Sequence, residues 1–567
     1  MVTGFSKFFV NKLLDIRQSI TSNLQCLGGH FVFIQPQHDG PALSVLNPTT
    51  TTEVRKVLTS TRLKPSPLDI LPVSLLRQSI DVIAPVLAHM ANLSFAQCHF
   101  PTAFKTAQVL PLLKKPGLDR SSMSNFRPIS NLSTVSKVIE RLILNRLKPH
   151  LHSSRGFCRL QSAYRSGHST ETALLHVMNQ VYSAADEKCA TALVALDISA
   201  AFDTINHNVL IDRLDTQFGV RDAVSRWLQS YLSDRKQFVK LGQHSSDITP
   251  CDSGVPQGSV LGPLLFTAYT SPVGDVISSH GVSYHTFADD TQLLVTLNTS
   301  DSAPALERLS RCSTAVRVWF LRNDLQLNAG KSEVMILGTP AQLRSASAVS
   351  SVDVAGSTLQ VSSQVKSLGV ILDSRMRFDS HVRAVVRACN YHTRALRHVR
   401  KQLTSEAAQT IACSVIGSRI DYCNSLLFGA PVGVIDKLQR AQNNVARVIC
   451  QQRKRVSARP LLQSLHWLPI QERIRYKVAL ITYKALSTSV PPYLSELLQC
   501  QETTRSLRST DALRLFVPRT RTETAKRAFS VAAPNVWNSL PIDIRNTDCL
   551  STFRSKLKTH FFTASYT

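Results

Sequence analysis

Three aspartates in this 567-residue chain stand where apolar segments stop. Asp197 ends the run ATALVALDI (190–198). Asp289 and Asp290 stand side by side in YHTFADDTQLLVTL (284–297), between two apolar runs. Adjacent carboxylates disfavour each other's ionisation, so cations must neutralise them or water must solvate them. A polar turn would account for the adjacent pair alone. Asp197 changes the balance. If the two segments are neighbouring strands of one sheet, Asp197 and Asp289 meet at the same edge. Clustered oxygen ligands favour Mg²⁺ or Mn²⁺. Two such ions, about 4 Å apart, would clamp the attacking and leaving oxygens of a phosphoryl transfer.

The elements that must position these carboxylates are legible in outline. Helical spacing runs from Leu68 to His99, and AFKTAQVLPLLKKPG (103–117) holds a short strand. Ser133 or Thr134 can cap a helix reaching about Leu147 and ended by Pro149. STET (169–172) offers a capping box to a helix over 168–187. Helical segments over 207–234 break at Gly219, and 236–242 reads as a strand. SGVPQGSVLGPLLF (253–266) is a Gly/Pro-punctuated loop entering a helix. Asp301 to Phe320 is helical, 345–363 suggests thin strands and turns, and 365–373 reads as one strand. NPTTTTEVRKVLTSTRLKPSP (47–67) reads as a linker or loop. The N-terminal 20 residues favour an ordinary helix and lack the continuous apolar core of a secretory signal. Alternating strands and helices in the middle predict an α+β or α/β domain, followed by a largely helical, very basic region.

Composition narrows the partner. The formal net charge is +27, from 65 basic and 38 acidic residues. From Asp373 onward there are 31 Lys and Arg against 12 Asp and Glu, so most of the excess lies in the last third. An excess of this size argues for a polyanion, most often nucleic acid. No apolar run of about 18 residues suggests a membrane span. The 12 cysteines form no CxxC pair, which favours buried, reduced thiols over a metal knuckle or disulfides.

Seven motifs in order then carry a family resemblance: NFRPIS (125–130), QSAYRSGHSTETAL (161–174), LDISAAFDTI (196–205), SGVPQGSVLGPLLF (253–266), FADD (287–290), LQLNAGKSEVM (325–335) and VKSLGVILD (365–373). Together they resemble the reverse transcriptase of non-long-terminal-repeat (LINE-type) retrotransposons. The resemblance implies an α+β right-hand polymerase: an N-terminal region of uncertain role (1–96), fingers and palm (97–373), and a basic helical thumb and C-terminal region (374–567). It implies two Mg²⁺ or Mn²⁺ ions on Asp197 and Asp289, with Asp290 beside them and the Ile198 carbonyl as a further ligand. Phe202 resembles a steric gate against a ribose 2′-hydroxyl. Its alternative is a core phenylalanine. Arg127 and Arg165 would contact the triphosphate, although a structural role for Arg165 is equally open. Gln257 and Gly258 would floor the nucleotide site. Lys331 would protonate the leaving pyrophosphate, unless it is a plain surface lysine. Asp203 fits the motif without a metal role and could cap a helix beginning near Ile205.

The implied partners are an RNA template, a DNA primer and dNTPs, in the nucleus or cytoplasm. Residues 437–456 are the strongest candidate for gripping the duplex, while Trp467 and Trp537 read as core. Only about 100 residues precede the fingers, too few for the endonuclease that usually lies upstream, so a truncated element is expected. The competing readings are a catalytically silent relic that binds RNA or hybrid, and a metal-dependent nuclease.

Overall fold

The structure, a computed structural model, describes residues 1–567 except 27–32, 34–36, 61–63, 299 and 502–513. Seven strands frame the site: β1 (Thr106–Leu113), β2 (Phe126–Asn131), β3 (Ala190–Leu196), β4 (Arg235–Leu241), β5 (Ser283–Phe287), β6 (Asp290–Leu297) and β7 (Glu333–Leu337). The helices that support or flank them are α1 (Val2–Cys26), α2 (Thr134–Ser153), α3 (Thr170–Asp186), α4 (Gly262–Thr270), α5 (Ala303–Arg322), α6 (Asp379–Val399) and α7 (Val432–Ile449).

The central sheet has the order β7-β3-β6-β5, and every pair is antiparallel. Its strands are buried on both faces, and their side chains divide by the two-residue period of a strand. Val194, Val295 and Ile336 join a core with Phe266, Trp319 and Phe320 from α4 and α5. Leu193, Leu294 and Met335 turn the other way and join Leu174 and Met178 of α3. That second core continues into the C-terminal helices through Val445, Trp537 and Phe553. The basic third of the chain is therefore built onto the back of the central sheet through α3. A second sheet pairs β2 with β1 antiparallel and β1 with β4 parallel. Together they make a mixed α+β architecture.

The local signals explain much of this. Ser133 caps α2, and Ser169 with Thr172 forms the capping box of α3. Gly219, at φ +62°, separates helices His207–Thr216 and Asp222–Leu232. Four expectations need correction. Helix α2 runs through Pro149 to Ser153, because Leu147 and Leu151 are buried on either side of the proline. Residues Thr51–Ser60 are helical, since Val54, Val57 and Leu58 share one buried face; residues 61–63 of that presumed linker lie outside the described ones. The segment 365–373 is a hairpin, Gln364–Ser367 against Val370–Asp373, turned by Leu368 and Gly369 at positive φ. Among the described cysteines, Cys413, Cys500 and Cys549 are exposed and only Cys312, Cys389 and Cys423 are buried. Trp537 is buried and Trp467 packs on the same core, as expected of core residues.

Candidate active site

Strands β5 and β6 form a hairpin in which Phe287 pairs with Asp290, leaving Ala288 and Asp289 as the turn. Ala288 adopts φ +56°, the left-handed region that tight hairpins need at a turn position. Buried Gln161 secures the turn from both sides. Its Oε1 accepts from the Ala288 N–H at 2.8 Å, and its Nε2 donates to the Ala288 carbonyl at 3.1 Å. Neighbouring backbone follows suit, with Thr286 N–H donating to the Leu160 carbonyl and Ser162 N–H to the Thr286 carbonyl.

Asp197 leaves β3 beside this turn. The last β3–β6 pair is Leu196 with Thr291, so one further step sets Asp197 alongside Asp290. Its carbonyl accepts from the Asn328 N–H at 2.8 Å, and Ile198, which is buried, pairs with Leu327. Those contacts tether the 326–331 segment, and Lys331 Nζ reaches Asp197 Oδ2 at 3.3 Å. The predicted trio of aspartates and Lys331 thus share one end of the sheet.

Electrostatics there is dominated by crowded negative charge. Burial raises the Asp289 carboxyl above its ordinary value and Asp197 adds to it, while Arg127 and Lys331 pull it back. Burial, then Asp289 and Asp197, pushes Asp290 up to about 6. The Asp290 residue is exposed as a whole, and two like charges crowd its carboxyl. Among the described residues, no three His, Cys, Asp or Glu side chains come together as a set that could hold a metal ion. The donor set nonetheless suits a hard cation: carboxylate oxygens that repel one another, met by one ammonium.

Arg127 is exposed on β2, and its charge is felt at Asp289. Arg165 is bonded within its own loop. Its Nη1 closes its own loop, donating to the carbonyls of Cys158, Arg159 and Gln161, and its guanidinium lies over Phe157. Phe202 is half-buried and stacks on Phe266, with centroids 4.6 Å apart. Asp203 does not cap a helix; Asn206 caps the one starting at His207. Asp203 instead accepts both contacts of the Gln257 amide, at 2.9 and 2.8 Å. Burial raises its carboxyl to about 6. The Gln257 carbonyl accepts from the Ser130 N–H at 2.8 Å. Gly258 is at φ +135°, and a Cβ there would stand 2.4 Å from the Ser130 carbonyl. Only glycine lets the 257–258 turn lie this close to β2.

Sequence reasoning missed Gln161, whose residue type gives no hint of its partner. It also missed Tyr164, 47% exposed, whose pKa is raised by the partial burial of its phenol and then by Asp289. On α6 it missed an exposed row of Arg383, Arg387, Tyr391 and Arg394, legible only in the i, i+4, i+8, i+11 spacing.

Residues 113–372 match the family model described as reverse transcriptase (RNA-dependent DNA polymerase). The chain is 30% identical over 389 residues to the probable RNA-directed DNA polymerase from transposon BS of Drosophila melanogaster, covering 66% of this chain and 41% of that protein. It is 28% identical over 350 residues to the RNA-directed DNA polymerase from mobile element jockey of the same fly, covering 60% and 37%. It is 30% identical over 383 residues to the probable RNA-directed DNA polymerase from transposon X-element, covering 66% and 40%. The chain thus spans about two-fifths of the length of these relatives. Apo telomerase from Candida tropicalis, truncated from its C-terminal domain, aligns at 12% identity and a TM-score of 0.32, over 54% of this chain and 59% of that one, too weakly to carry an argument. With its motifs in order and its aspartates on one sheet edge, the chain belongs to the reverse transcriptase family of non-long-terminal-repeat retrotransposons.

Proposed function

We propose that this chain is an RNA-directed DNA polymerase that extends a primer 3′-hydroxyl with dNTPs on an RNA template. One observation supports this most: Asp197, Asp289 and Asp290 meet at one sheet end, with Lys331 on Asp197. Asp197 and Asp289 would hold two Mg²⁺ or Mn²⁺ ions, with Asp290 and the Ile198 carbonyl assisting. Bound there, the ions would supply electrostatic stabilisation of the attacking and leaving oxygens.

The remaining roles fall to side chains of this chain. Exposed Arg127 is placed to meet triphosphate oxygens, since a guanidinium matches them and stays charged. Lys331 is the proton donor to pyrophosphate, and its pairing with Asp197 keeps the ammonium at the site. Gln257 and Gly258 floor the nucleotide site, while Phe202, braced by Phe266, excludes a 2′-hydroxyl. Arg165 supports its loop rather than the triphosphate.

The C-terminal region acts as a thumb on the hybrid. Arg383, Arg387 and Arg394 flank Tyr391, which is 71% exposed, and suit a phosphate backbone better than a protein core. The predicted grip at 437–456 contributes less from α7 itself, because Lys437 pairs with Asp379 and Arg447 bonds the Val456 carbonyl. No described helix is long and apolar enough to cross a membrane.

The deciding experiment is dTTP incorporation on poly(rA)/oligo(dT) with Mg²⁺. Incorporation by the parent, lost in Asp289→Asn, is the expected result. A folded parent that binds the hybrid but incorporates nothing would overturn the reading and leave a binding protein.

A further inference from the structure

A second carboxylate, remote in sequence from the three aspartates, bears on the same site. Glu140 lies on α2 and is completely buried. Its Oε1 accepts from Ser136 Oγ at 3.0 Å. Its Oε2 accepts from Tyr231 Oη at 3.1 Å, from the Val260 N–H at 2.7 Å and from the Leu261 N–H at 3.2 Å. Val260 and Leu261 immediately precede α4. Backbone N–H groups at a helix start have no partner within the helix, and the helix dipole favours a negative charge there. Glu140 therefore caps α4 from another element, 120 residues away in sequence.

The capped turn is the one that carries Gln257 and Gly258. Its near end is tied to β2 through Ser130 and to Asp203 through the Gln257 amide. Its far end hangs on Glu140. Gly262 N–H donating to Ser259 Oγ and Ser259 N–H donating to the Pro256 carbonyl tie the turn to itself. The carboxylate is itself rigidly supplied. Tyr231 stacks on Trp227 with rings nearly parallel, and Arg235 lies over the Tyr231 ring while donating to the Tyr231 carbonyl at 2.8 Å.

We infer that Glu140 is a positioning residue: it fixes the level of the 257–261 turn and thereby the fit of the incoming nucleotide. The consequence for nucleotides rests on the polymerase reading; the hold on the turn does not. A carboxylate suits this place because Oε2 serves three donors at once, two of them from the backbone.

Two variants separate reach from charge. Glu140→Asp keeps the charge but withdraws the oxygens by roughly 1.5 Å, beyond hydrogen-bond range of Val260 and Leu261. Glu140→Gln keeps the reach, with its amide turned toward Ser136. Two readouts are taken on folded protein: hydrogen exchange of the peptide spanning 259–266, and KM for dTTP on poly(rA)/oligo(dT). The expected result for Glu140→Asp is faster exchange confined to that peptide, with KM raised about tenfold and kcat changed less than about threefold. Glu140→Gln should stay within about threefold of the parent on both constants. A purely structural role would lower the active fraction, and so apparent kcat, without moving KM.

Should Glu140→Asp fail to fold, Tyr231→Phe removes one donor and leaves the carboxylate, and is expected to raise KM about two- to threefold. Unchanged exchange at 259–266 in a folded Glu140→Asp protein, or unchanged KM in an active one, would overturn the inference. A parent that incorporates nothing defeats the polymerase reading and the nucleotide consequence, while the exchange result still judges the hold on the turn.

Discussion

Two groups of carboxylates lie within this one body, and they are treated in opposite ways. Glu140 is fully buried and receives four hydrogen bonds, two of them from backbone amides. Asp289 and Asp290 sit on a hairpin end, and among the described residues no side chain donates a hydrogen bond to either. Their neighbours include another carboxylate, Asp197, which pairs with Lys331. Burial differs, since Asp289 is half-buried and Asp290 exposed, and so does the supply of donors. A satisfied buried carboxylate belongs to the scaffold. Like charges held together at the end of a rigid sheet cost stability, and such costs recur where chemistry is done.

That contrast is tested most strongly by Asp289→Asn. Primer extension with Mg²⁺ should fall on the order of 10³-fold, as when a group that stabilises the transition state is removed. The melting temperature should hold or rise, because a repulsion has been relieved. A fall of several degrees would mean that Asp289 is scaffold after all. The mirror-image experiment is Glu140→Leu. It strands two hydroxyls and two amides in the core and should cost about 3 kcal/mol. A urea midpoint equal to the parent's would erase the distinction between the groups.

The same contrast separates what the sequence discloses from what it does not. The aspartates were legible because a strand's apolar run ends visibly at a charge, and because residues 197 and 289 come together once two such strands pair. Glu140, Gln161 and the Asp203–Gln257 contact were not. Their partners lie 120, 127 and 54 residues away, and nothing in a polar residue's type names a distant donor. Arg165 shows the converse limit: its motif left a phosphate contact and a structural role equally open, and the carbonyls its guanidinium meets in its own loop are not named by any residue type. The helix Thr51–Ser60 was hidden by threonines that favour loops, although Val54, Val57 and Leu58 had the spacing of a buried face. At 365–373 an apolar run concealed a turn, because leucine at φ +45° is not a residue one expects there.

Lys331 stands on the border between the two treatments. Its ammonium, 64% exposed at the side chain, holds Asp197 in the folded protein, yet the proposed role is proton transfer. An exposed pair of this kind contributes little to stability. Lys331→Gln should therefore leave the melting temperature within about a degree. Single-turnover extension should fall roughly 10²-fold, the lower end of general-acid effects. Equal single-turnover rates would return Lys331 to the status of a surface lysine. Loss of activity together with melting would place it in the scaffold.

The smallest effect is the most diagnostic of charge crowding, and it belongs to Asp290. Its folded pKa is raised to about 6 from an ordinary 3.8. A raised carboxyl pKa means the unfolded chain ionises first as pH climbs, so the fold loses stability between about 4 and 6 and carries the whole cost above 6. Asp290→Asn removes that cost. Its melting temperature should exceed the parent's by a degree or two at pH 7.5, solvent access to the residue keeping the gain small. The advantage should shrink as pH falls through about 6 and vanish near 4. A divalent cation on the same carboxylates would supply the missing counter-charge. Mg²⁺ should then raise the parent's melting temperature at pH 7.5 more than the variant's, and neither at pH 4. A pH-independent gap between the two proteins would show that the carboxylates at this sheet end do not feel one another.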